Sequence, residues 1–77
     1  MKIEYGPWFL PATQDALVRQ LRIRGNDGIW LESVAVIGPE WRSMNSRERS
    51  KVKRQRIQQA KQSLRKLYQI ERLMGKV

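Results

Sequence analysis

The chain has 77 residues, with 16 lysines and arginines against seven carboxylates, a net charge of +9, and neither cysteine nor histidine. A chain this short forms one domain and hides only about 60% of its unfolded surface, so its core is thin and oligomerisation would help it. Without cysteine there is no disulfide framework and no thiolate metal site, and without histidine the commonest metal ligand and general base are both missing. A reducing, cytoplasmic setting, no metal and no cofactor are expected.

The charge is unevenly placed. Residues 1–41 carry four basic side chains against five acidic ones, a net −1, whereas residues 42–77 carry twelve against two, a net +10. This predicts one domain in two parts, a near-neutral β platform over 1–41 and a basic helix over 42–77 that approaches something polyanionic. Glu4 and the Gly6-Pro7 break argue against a secretory signal at the start. The longest apolar runs, Trp8-Phe9-Leu10 and Val34-Ala35-Val36-Ile37, fall far short of the ~20 residues that cross a bilayer, so no membrane partner is expected.

Ile3-Glu4-Tyr5 and Trp8-Phe9-Leu10 are rich in strand formers, and Gly6-Pro7 between them suits an interrupted edge strand. Gly25-Asn26-Asp27-Gly28 lies between Leu21-Arg22-Ile23-Arg24 and Ile29-Trp30-Leu31-Glu32. Asn-Asp fits the centre of a type I turn and Gly28 the left-handed residue after it, which predicts a hairpin with a three-residue loop. In that register Gly25 faces Ile29, Arg24 faces Trp30, Ile23 faces Leu31 and Arg22 faces Glu32. A competing reading makes 13–24 a helix, with Thr13 as N-cap and Gly25 as the stop. The hairpin reading gives a three-stranded antiparallel meander with a core drawn from Ile3, Tyr5, Phe9, Leu10, Leu21, Ile23, Leu31, Val34, Val36 and Ile37. Trp8 and Trp30 are expected in the core too, with only Trp41 partly exposed.

Gly38-Pro39 ends the third strand, and Asn45-Ser46-Arg47-Glu48 has the capping-box pattern. No Gly or Pro interrupts Ser46 to Met74, and Gly75 suits a C-terminal stop, so one helix of about 29 residues and about 44 Å is predicted. The fold class is therefore α+β, a small β-meander followed by one long helix. Over 47–56 six of ten residues are basic and only Val52 is apolar, so no face is expected to bury there. From Ile57 an apolar stripe runs through Ala60, Leu64 and Leu67, and less strictly on to Met74. It suits either a short homodimer seam or packing on the strands.

The order of these parts is similar to the layout of the basic leucine zippers. Their base-reading pattern is missing, because Asn45 precedes the basic run and no Ala-Ala pair follows it, so the chain is not assigned to that family.

The expected partner is nucleic acid, DNA before RNA, held through phosphates by Arg42, Arg47, Arg49, Lys51, Lys53, Arg54 and Arg56. Arg22 and Arg24 beside Trp30 are secondary candidates, and Trp41 is a stacking candidate at the junction. The alternative is a regulator that docks the basic helix on an acidic protein surface. Catalysis is not expected: the carboxylates are scattered, no Gly-rich phosphate loop precedes a helix, and no serine has a base.

Overall fold

Ile3–Tyr5 (β1), Leu17–Arg24 (β2) and Trp30–Ile37 (β3) form an antiparallel sheet in the order β1-β2-β3. A 3-10 turn over Pro39–Ser43 then leads into one helix, Ser46–Leu73 (α1), which completes the α+β architecture. The structure is a computed structural model that describes residues 2–25, 28 and 30–74. The expected Asn26-Asp27 turn centre, the Gly25–Ile29 pair and the Gly75 stop therefore lie outside the described residues.

The β2–β3 hairpin takes the expected register, with Arg24 opposite Trp30, Ile23 opposite Leu31 and Arg22 opposite Glu32. Gly28 has a φ of 85° and its N–H donates to the Gly25 carbonyl at 3.1 Å, in keeping with the left-handed position reserved for it. The competing helix over 13–24 does not form, since Leu17–Arg24 is a strand. Its Leu17, Arg19, Leu21 and Ile23 share one face at period two, and the strand gains a ladder on both sides, from β1 and from β3.

The first strand is an edge strand with a fault in it. Ile3, Glu4 and Tyr5 pair with Ile23, Arg22 and Leu21, and the Gly6 N–H donates to the Gln20 carbonyl at 2.9 Å. Pairing resumes where Phe9 and Val18 exchange two backbone bonds of 2.9 Å. Between these points Pro7 and Trp8 stand opposite Arg19 alone, which is a β-bulge. Proline fits there because it has no N–H to offer the ladder. The extra residue turns Trp8 toward the helix side of the sheet, where it packs against the core, while Phe9 falls on the opposite face.

One helix covers one face of the sheet. The core cluster is Leu21, Ile23, Ala35, Ala60 and Leu64, with Ile3, Trp8, Leu31, Ile57 and Tyr68 packed around it; Ile37 is also fully buried. The expected core is corrected at five places: Tyr5, Phe9, Leu10, Val34 and Val36 are exposed. Strand alternation places Val34 and Val36 on the uncovered face, across from Gln20 and Val18, and none of the described residues forms a layer over them. Val18 is the buried residue of that face, flanked across the strands by Phe9 and Val36. Ala16, Val18, Ala35, Ala60 and Leu64, none of them in the expected core, are buried. Alanine at 35 and 60 leaves room for α1 to lie close on β3, the strand it contacts most.

The helix starts as its sequence predicts. Asn45 is the N-cap: its side-chain carbonyl accepts the Glu48 N–H at 2.8 Å, and its amide donates to the Glu48 carboxylate at 3.0 Å. Replacing Asn45 with Ala should lower the urea-unfolding free energy by about 1 kcal/mol. An unchanged midpoint would show that the cap contributes nothing to stability.

Candidate nucleic-acid interface

The basic run does not project evenly around α1. Arg49, Val52, Lys53 and Arg56 are half-buried on the platform side, which corrects the expectation that no face of 47–56 buries. Their aliphatic stems lie along the edge of the small core and carry the charged ends outward. Arg49 Nε donates to the Trp41 carbonyl at 2.9 Å, and Arg56 donates to the Gln59 side chain at 3.4 Å, with its Nε buried and unpartnered. Arg49 and Arg56 are thus turned inward.

Arg47, Lys51 and Arg54 face solvent. At 3.6 residues per turn they fall in one sector of about 80° together with Gln58, Lys61, Arg65 and Arg72, at steps of four and three residues. This stripe extends about 38 Å from Arg47 to Arg72. The helix has two acids, Glu48 and Glu71, and neither lies in that sector: Glu48 is about 100° round the helix from Arg47 and held by Asn45, and Glu71 is half-buried on the other flank. Lys61, Arg65 and Arg72 are absent from the expected site. The signal for them was present, because the three- and four-residue spacing that follows Arg47, Lys51 and Arg54 continues through Lys61 and Arg65 on a face beside the apolar stripe.

The other expected residues sit apart from the stripe. Arg22 lies on the uncovered sheet face, 4.1 Å from the Trp30 ring centroid and 3.7 Å from the Glu4 carboxylate; Arg24 is 5.7 Å from the same ring. Arg42 pairs with Asp15 at 2.9 Å. Both ion pairs are exposed and worth at most about 1 kcal/mol each, but they set an acid of the platform against each of Arg22 and Arg42. Trp41 is half-buried, with the Arg42 and Arg49 guanidiniums 5.4 and 5.3 Å from its centroid, so it closes the junction of turn and helix and offers no free face near the stripe. Trp8 and Trp30 are half-buried rather than core residues, which corrects the expectation that only Trp41 would be partly exposed.

The expected seam is divided. Ile57, Ala60 and Leu64 pack on the sheet, because Leu21, Ile23 and Ala35 need a cover and α1 supplies it. Leu67, Ile70, Leu73 and Met74 run beyond the sheet and are exposed. Among the described residues there is no cluster of acids that would hold a metal ion, and no helix is long and apolar enough to cross a membrane.

No family model, curated protein or solved structure matches this chain.

Proposed function

We propose that this is a small DNA-binding protein, a regulator rather than an enzyme, that holds the phosphate backbone along the outward face of α1. The observation that carries this reading is the acid-free stripe Arg47, Lys51, Arg54, Lys61, Arg65 and Arg72, which runs along α1 beside the face that the sheet occupies. A face that served only solubility would mix both signs, as surface helices usually do. The stripe is straight and carries its charges at the spacing of a helix, so it suits electrostatic positioning on a polyanion.

The test is a salt series on a labelled random duplex, a single strand and an RNA hairpin. Six phosphate contacts on duplex DNA give a slope of about −5 for log affinity against log salt. A slope near that value, with DNA bound more tightly than RNA, is the expected result, and a slope near zero would remove the reading.

The second reading is a protein that binds an acidic surface of a nucleic-acid-handling partner. What favours it is the exposed apolar group of Phe9, Val34 and Val36 on the uncovered sheet face, which could anchor such a contact. Absence of binding to any of the three nucleic acids at physiological salt would turn the assignment to this one.

A further inference from the structure

The bulge at Pro7-Trp8 builds a second feature on the helix side of the sheet. An open groove of about 680 Å³ runs between the N-terminal segment and α1, lined by Trp8 and Arg19 on one side and by Ser50, Lys53, Arg54, Ile57, Gln58 and Lys61 on the other. Its volume is within the ~300–1,000 Å³ of ordinary small-ligand sites. Four of its side chains are cations and none is a carboxylate. Two of the platform's five acids, Glu4 and Asp15, are engaged elsewhere with Arg22 and Arg42.

The cations are gathered on aromatic rings instead of on anions. Lys53 Nζ lies 5.6 Å from the Trp8 centroid, and Tyr5, beside the groove, has Arg19 Cζ at 5.1 Å and Lys61 Nζ at 5.7 Å. Arg19 is held in place because its Nε donates to the Gly6 carbonyl at 2.7 Å, at the edge of the bulge. A cation–π contact at a partly exposed site is worth about 0.5–1 kcal/mol, far less than an ammonium gains from a charge-assisted bond to phosphate. A ligand that brings both a phosphate and a flat ring satisfies both sets of groups at once: the phosphate takes the ammonium of Lys53, and the ring replaces that ammonium on Trp8.

We infer that this groove binds one unpaired nucleotide of a DNA single strand, its base stacked on Trp8 and its phosphate held by Arg19, Lys53 and Lys61. The inference rests on the DNA-binding reading above and specifies its substrate. Arg54 and Lys61 belong both to the groove wall and to the outward stripe of α1, so a strand whose paired part follows the stripe enters the groove without leaving the helix. A base inside a duplex is stacked on both faces and is not available to Trp8. The preferred substrate is therefore duplex DNA with a single-stranded tail. The stack is tolerant of sequence, since every base has a π-face.

The test compares the full chain on a blunt labelled duplex and on the same duplex with a five-nucleotide single-stranded tail, at one fixed salt concentration. The tailed duplex is expected to bind about tenfold more tightly, the size of one base–aromatic stack. That ratio should fall to about one in Trp8→Leu and also in Lys53→Gln, the second variant being independent of any packing lost with the indole. Tryptophan fluorescence should be quenched by the tailed duplex more than by the blunt one in the wild type. Equal affinity of the wild type for both duplexes, or a ratio preserved in both variants, overturns the groove assignment and leaves the stripe intact. Failure of both duplexes to bind overturns the stripe and the groove together.

Discussion

Replacing Arg47, Lys51, Arg54, Arg65 and Arg72 with Gln should flatten the salt slope on duplex DNA from about −5 to about −1 and weaken binding at physiological salt by roughly a thousandfold or more. Each of these side chains faces solvent on α1 and is remote from the core, so the fold should persist, and circular dichroism checks that it does. The informative comparison is Arg49→Gln with Arg56→Gln. Both belong to the densest basic run, but Arg49 donates to the Trp41 carbonyl and Arg56 lies half-buried over the platform. Their replacement should leave the slope within about one of the wild type and act on stability instead. If the inward pair flattens the slope and the outward five do not, the stripe is not the contact surface.

Leu64→Ala should destabilise the chain by about 3 kcal/mol, at a midpoint independent of protein concentration. Leu64 is fully buried against Leu21, Ile23 and Ala35, and truncating a leucine in such a site costs about 2–5 kcal/mol. A domain of this size has only about 4–12 kcal/mol in all, so much of the molecule would unfold at moderate temperature. Leu73, 88% exposed beyond the sheet, provides the control, and Leu73→Ala should change stability by less than about 0.5 kcal/mol. Denaturant titrations at two protein concentrations decide the matter. A midpoint that rises with concentration would place Leu64 in a seam between two copies rather than in the core of one.

These two results bear on the parts of the fold that a linear reading separates poorly. The run 47–56 is the densest charge in the chain, and composition alone makes each of its cations equivalent. Packing makes them unequal. A three-stranded sheet with a single cover needs every contact that the helix can supply, so the aliphatic stems of side chains as polar as Lys53 and Arg56 are drawn over its edge. The same need takes Ile57, Ala60 and Leu64 out of the candidate dimer seam.

The hairpin, its register and the long helix were legible because each rests on local chemistry. Gly28 supplies the positive φ that the loop requires, Ile23 and Leu31 fix which residues face each other, and Asn45 with Glu48 marks where the helix begins. The edge position of Ile3–Tyr5 follows from Gly6-Pro7 in the same way. The two-part charge distribution, and with it the expectation of a polyanionic partner, is also a property of the sequence by itself.

Which side chains are inside and which form a site is decided between elements, at distances in the chain that no local pattern spans. Val34 and Val36 are as apolar as Ile37, yet of the three only Ile37 is covered, because α1 lies on one face of the sheet and the described residues form no second layer on the other. Trp8 meets Lys53 only because a single extra residue in an edge strand turns the indole toward the helix, while Tyr5 meets Arg19 and Lys61 because the β1–β2 register puts Tyr5 on the helix side of the sheet. The sequence set the charge and the elements of this protein. The tertiary packing of one helix on one sheet face determined which cations point outward as a stripe, which cover the core, and which gather around the groove.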